Sequence, residues 1–289
     1  MRQLICCCFC IFYFTSVFSQ AEKALLVCGD SKVLLVDYEK SVGGNPEIIW
    51  TWDSRTAPDI PEQYRTKFAT MDDCKSADKG RKIIVSASSG AVAILNSEDR
   101  SVLFYAMVPN AHSVALLPNN RLAAAASTNE AGNRIMLFDT NQPNKLLYQD
   151  SLYSAHGVVW DHNRKSLFAL GYQELREYKM ATSDSLVLVR WWEIPGESGH
   201  DLQPALDENN LLITEHTGAW SFNIKREEFQ KISGFPDDQN IKSLSQHPSG
   251  QYLYTVPEES WWTYHVSFFQ PDNKLAFPHL KVYKARWYK

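Results

Sequence analysis

Three histidines and three lysines recur along this chain at nearly even intervals, and most are followed by a short residue. They stand in Cys74-Lys75-Ser76, Ala111-His112-Ser113, Ala155-His156-Gly157, Gly199-His200-Asp201, Ile241-Lys242-Ser243 and Tyr283-Lys284-Ala285. Subtracting successive numbers from Lys75 gives steps of 37, 44, 44, 42 and 42 residues. Neutral imidazoles from His112, His156 and His200 suit a shared divalent metal, with Mn, Ca and Zn not distinguishable and Asp201, Glu215 or His216 as a further ligand. Lysines facing them would attract an anionic group. In a catalytic version, Lys242, Lys75 or His216 would take a proton acidified by the metal, and Lys284 and Arg286 would balance the charge of an enolate-like intermediate.

Side chains this far apart in sequence meet only if a repeated unit returns each of them to one axis. A period of about 40–45 residues is that of a four-stranded propeller blade. Short apolar runs rich in β-branched and aromatic residues read as strands at 24–28, 33–37 and 47–52, and then as four-strand units beginning at Lys75, His112, His156, His200 and Lys242. The final run, 282–288, has no following partners, and the N-terminal unit lacks an innermost strand. Joined, they complete a sixth blade and remove the open sheet edges. The expected fold is all-β: a six-bladed β-propeller of four-stranded blades, closed by the C-terminal strand. Residues 53–70 form a polar connector of unassigned role.

Within each unit the His or Lys falls at the start of the innermost strand. The next strand returns to the same face and ends at Asp30, Ser88, Thr128, Tyr172, His216 and Glu258 in successive blades. These loops would rim one mouth. Ligand contacts are expected from Asp30, Asp201, Glu215 and Glu258, with Trp261 and Trp262 stacking on a sugar face. An equally admissible alternative is a polar channel lining in a non-catalytic binding or scaffold propeller. Glycoside hydrolysis would need two carboxylates at a suitable separation, for which Glu215 and Glu258 are available.

The chain has 289 residues and a formal net charge of −4. A mildly acidic whole argues against nucleic acid as the main partner. Arg2 followed by the apolar run 4–18 reads as a signal peptide over 1–19, leaving 20–289 as a single propeller domain without a stable membrane span. The protein is therefore expected to be exported, to the periplasm or beyond. Cys28 and Cys74 would remain after cleavage, either bonded to each other or as buried thiols.

The strings Asp72-Asp-Cys-Lys-Ser76, Ala155-His-Gly-Val-Val-Trp160, Ser198-Gly-His-Asp-Leu202, Thr214-Glu-His216, Glu258-Glu-Ser-Trp-Trp262 and Tyr283-Lys-Ala-Arg-Trp287 resemble an uncharacterised family of secreted bacterial proteins over nearly the whole mature chain. That resemblance implies a propeller and bacterial export, and carries no established activity. A more distant architectural likeness is to oligogalacturonate lyases, seven-bladed propellers that hold a metal by several histidines and cleave uronates by β-elimination. It implies an anionic carbohydrate, or another small anionic ligand, as the partner.

Overall fold

The computed structural model describes residues 23–236 and 239–288; the proposed signal segment lies outside them. Six four-stranded antiparallel sheets form the protein. Five are built from consecutive strands. The sixth places the C-terminal strand Val282–Trp287 beside Ala24–Gly29, with Leu25 opposite Trp287 and Cys28 opposite Lys284. The expected closure is thus present, and its blade is counted here as blade one.

The sequence forms this ring because each blade is apolar on both faces. Six clusters of buried apolar side chains each bridge two neighbouring blades. Between blades four and five, for example, Val159, Phe168 and Leu175 meet Leu202, Ile213 and Phe222. A blade alone would expose both faces, so stacking around the ring supplies the core. The connector 53–70 contributes to one cluster: it holds a short helix, Glu62–Arg65, and buries Ala57, Ile60 and Phe68 between blades one and two. Cys28 and Cys74 lie in the same cluster as free, buried thiols. Burial, and next to it the neighbouring Cys74, pushes the Cys28 thiol well above its ordinary pKa.

The innermost strands run Met71–Ala77, Ala111–Leu117, Gly157–Asp161, Asp201–Pro204, Ser243–Gln246 and Val282–Trp287. Three of them carry a bulge at or near their start. In blade three Ala111 pairs with Ala126 and Ser113 with Ala125, so His112 is an extra residue in the ladder. Blade two slips in the same way at Asp72, and blade one at Tyr283. His156, His200 and Lys242 stand at the corresponding place, each donating its backbone N–H to the end of the second strand. The bulge frees both the extra residue and its successor from the ladder's strict alternation.

Candidate functional site: a plugged, polar channel

Register defines the ring that surrounds the axis: Tyr283, Asp72, His112, His156, His200 and Lys242. Four members agree with the sequence reading. The two outer lysines do not. Lys284 lies one residue deeper than its ring position, and Lys75 three residues deeper, so neither faces the histidines as an equivalent ring member. The misalignment arose because Lys75 and Lys284 match the histidines in their immediate neighbours, whereas the bulge sits elsewhere. Counting back six residues from the turn at Asp78, as from Pro118 to His112 and from Pro248 to Lys242, would have found Asp72. The last strand has no turn after it to count from, and with Tyr283 in its place the intervals from Asp72 become 40, 44, 44, 42 and 41 residues.

The histidine rings pack edge to face. His112 and His156 have centroids 4.2 Å apart, and His156 and His200 5.8 Å apart. Nδ1 of His112 lies 3.0 Å from the Asn110 carbonyl, and Nδ1 of His156 lies 2.8 Å from the Ser154 carbonyl. A carbonyl only accepts, so both Nδ1 atoms carry the proton and both Nε2 atoms keep a lone pair. Lys242 Nζ sits 2.9 Å from Nε2 of His200. Burial, then Lys284, lowers the His112 imidazole to about 3. Burial also holds His156 and His200 well below the usual range, assisted by the neighbouring rings at His156 and by Lys242 at His200. Lys242 itself is lowered to about 8 by burial and by Lys284. Asp72, which accepts the backbone N–H of Ser88, is raised by burial to about 7.

Below the ring the channel is closed by charge. Arg286 meets Asp201 through two hydrogen bonds and approaches Asp73 to 2.9 Å. Lys75 lies 3.2 Å from Asp73. Lys284 Nζ donates to the His200 carbonyl at 2.9 Å, lies 3.4 Å from Asp201, and reaches the carbonyls of His112 and His156 at 3.4 and 3.5 Å. Lys75 Nζ likewise donates to the carbonyls of Val114 and Val158. The residue after three of the ring members has a related task. Ser113 accepts from Val158 N–H, Asp201 from Leu244 N–H and Ser243 from Ala285 N–H. An inner strand has no ladder partner on its axial edge, and these side chains satisfy its open backbone groups.

The remaining sequence candidates are dispersed. Asp201 is committed to Arg286 and Lys284. Glu215 is fully buried and held by Thr217 and the Trp220 indole. Glu258 bonds His265, Thr263 and Tyr264 within its own blade. His216 is exposed beside Asn240. At the rim, the Asp30 carboxylate accepts Lys281 N–H, the Lys281 ammonium lies 4.6 Å from the Trp262 ring, and Trp261 is 62% exposed. Arg286 and Lys75 border a separate cavity of about 1030 Å³ on the far side of the charged layer, at the turns that follow the inner strands. Among the described residues no group of three or more His, Cys, Asp and Glu side chains is arranged to hold a metal ion. In the present geometry Lys242 takes the lone pair that His200 would offer one.

Fold and channel together define a closed six-bladed β-propeller whose axis is plugged by a buried ion-pair layer. The chain belongs to DUF6528, a family of unknown function, whose family model matches residues 15–289. No curated protein matches the sequence. Among solved structures, a chain of a nidogen/laminin complex is similar at 12% identity and TM-score 0.65, covering 92% of this chain and 98% of that one. The dihydro-heme d1 dehydrogenase NirN, in complex with DHE, is similar at 15% identity and TM-score 0.50, covering 92% and 53%. The hydrazine synthase of Kuenenia stuttgartiensis is similar at 12% identity and TM-score 0.51, covering 73% and 67%. At these identities the likeness concerns the fold alone. No helix among the described residues is long and apolar enough to cross a membrane.

Proposed function

We propose that this exported propeller is a binding protein whose histidine-lined mouth takes the anionic group of a small acidic ligand, with uronate-type carbohydrate as the favoured class. The observation carrying this is Lys242. It is a buried ammonium with no carboxylate within ion-pair distance among the described residues, and its pKa is correspondingly lowered to about 8. An anion beside it would supply the missing counter-charge. The two free Nε2 lone pairs of His112 and His156 would accept hydroxyl hydrogens, and Trp261 at the rim would offer a face for a sugar ring.

Binding an anion here restores the ordinary basicity of Lys242, so complex formation near pH 8 takes up protons. Calorimetric titration with D-galacturonate and its oligomers, in two buffers of different ionisation heat, measures that uptake. Saturable binding with proton uptake, lost in Lys242→Met, supports the proposal. Binding that Lys242→Met leaves intact refutes it.

A lyase is the second proposal, and it rests on the same amine. A lysine with a pKa of about 8 is partly neutral near neutrality and suits a general base for abstraction beside a carboxylate. Its product would carry a conjugated C=C bond visible in the ultraviolet. A divalent metal on His112, His156 and His200 would require Lys242 to leave Nε2 of His200. Metal analysis of the wild type beside the His112→Ala/His156→Ala/His200→Ala variant decides that point.

A further inference from the structure

The cavity beyond the charged layer has no part in the histidine mouth. Its volume of about 1030 Å³ is at the upper end of small-molecule pockets. Four residues on its wall, Trp160, Gln203, Arg286 and Trp287, are each at least nine-tenths buried. Each also carries an N–H without a hydrogen-bond partner: Trp160 Nε1, Gln203 Nε2, Arg286 Nε and Trp287 Nε1. Buried donors left open cost free energy, and native proteins rarely collect several in one place. All four are donors closed off behind the cavity wall in this geometry, so an acceptor-rich ligand would meet them through a small turn of these side chains.

Charge points the same way. The lining carries Lys75, Lys79, Lys82 and Arg286 against the single carboxylate of Asp78, which is itself paired with Arg81 and Lys82. Asp73 and Asp201 lie behind the floor and neutralise part of this charge. Most of the rest of the wall is apolar, chiefly residues 114–118 and 158–160, with Ser76, His162, Gln203 and Ser245 as its other polar members. A wall of this kind does not favour a fully hydroxylated sugar. It favours an apolar body with one charged end.

We propose that this cavity is a second binding site, separate from the histidine mouth, for a small amphipathic carboxylate with an aliphatic or aromatic body. The carboxylate would lie at the Arg286 end, between the Gln203 amide and the indole N–H groups, and the body along residues 114–118 and 158–160.

The test is calorimetric titration of the full chain with octanoate and benzoate, beside 1-octanol and benzyl alcohol as neutral counterparts. Two variants remove a donor while keeping shape: Gln203→Met and Trp160→Phe. The expected result is 1:1 binding of at least one carboxylate, with its neutral counterpart at least roughly tenfold weaker. Each variant should weaken binding about three- to tenfold, as loss of one ordinary hydrogen bond predicts, and Lys242→Met should leave it unchanged. Equal binding of the neutral compounds, no binding of any, or indifference to both variants overturns the proposal. Loss in Lys242→Met with retention in Gln203→Met also overturns it, because the ligand would then occupy the histidine mouth.

Discussion

The guanidinium of Arg286 meets the carboxylate of Asp201 two on two, Nη1 to Oδ2 at 2.8 Å and Nη2 to Oδ1 at 2.6 Å. The closing strand is thereby tied across the channel to blade five, and through Asp73 to blade two. Asp73 is buried, which opposes its charge, yet Arg286, Lys75 and Lys284 hold its carboxyl well below the usual range. Replacing Arg286 by Met leaves buried carboxylates short of a partner. The expected cost is about 3–5 kcal/mol in urea unfolding. Adding Asp201→Asn should recover part of it, because the stranded charge is then gone. A loss below about 1 kcal/mol would mean that the layer does not secure the ring.

The three ring histidines make the fold sensitive to acid. Their folded pKa values are depressed, to about 3 at His112 and well below normal at His156 and His200. A depressed group contributes stability that is fully present above its unfolded pKa, roughly 6.5, and is lost as pH falls toward the folded value. For His112 the loss is about 1.4 kcal/mol per pH unit within that window. The urea midpoint should therefore fall between pH 7 and pH 5. In His112→Phe that fall should be shallower. An unchanged slope would show that His112 titrates normally.

The blade count and the closure were legible because each strand is a short apolar run ended by turn residues, and because stacking requires the 42- to 44-residue recurrence seen from His112 to Lys242. The depth of each polar residue was less legible. A single-residue bulge shifts a position along the axis without changing the apolar pattern, and this is where Lys75 and Lys284 were misplaced. One trace did exist. Asp72-Asp73, His112-Ser113, His200-Asp201 and Lys242-Ser243 are consecutive polar pairs in or at the start of strands that are otherwise largely apolar, as a bulge facing a wet axis allows. The far cavity left no such trace. Its donors come from Trp160, Gln203 and Trp287, which carry no functional signal in the sequence, and from Arg286, which the sequence assigns to charge balance at the histidine mouth.

Asp72 has the opposite sign to the histidines. Burial raises its carboxyl to about 7, against roughly 3.9 in an unfolded chain. The folded state thus binds the proton more tightly, and the stability from this group is full below about pH 4 and lost as pH rises toward 7. Asn at this position imitates the neutral acid and keeps an oxygen for the Ser88 N–H. Asp72→Asn should therefore be more stable than the wild type by roughly 2–4 kcal/mol at pH 8, and the difference should shrink on acidification. Urea unfolding at pH 5 and pH 8 measures both arms. Equal gaps at the two values would show that Asp72 does not titrate between them.

Gly157 marks a close approach between blades four and five. It occupies the place where Ser113, Asp201 and Ser243 reach the backbone N–H of the following blade. Here there is no room for a side chain: a Cβ would lie 2.6 Å from Cβ of Leu202 and 3.1 Å from its backbone nitrogen. Leu202 is fully buried in the cluster with Val159, Phe168 and Ile213, so it cannot retreat without moving that packing. Gly157→Ala should cost about 1–3 kcal/mol, the usual price of overfilling a packed interior. Since His156 precedes it directly, the same substitution should also weaken binding at the histidine mouth while leaving octanoate or benzoate binding in the far cavity the less affected of the two. Chemical unfolding measures the first effect and titration of each ligand the second. A variant as stable as the wild type would show that blades four and five can separate by the width of a methyl group without loss.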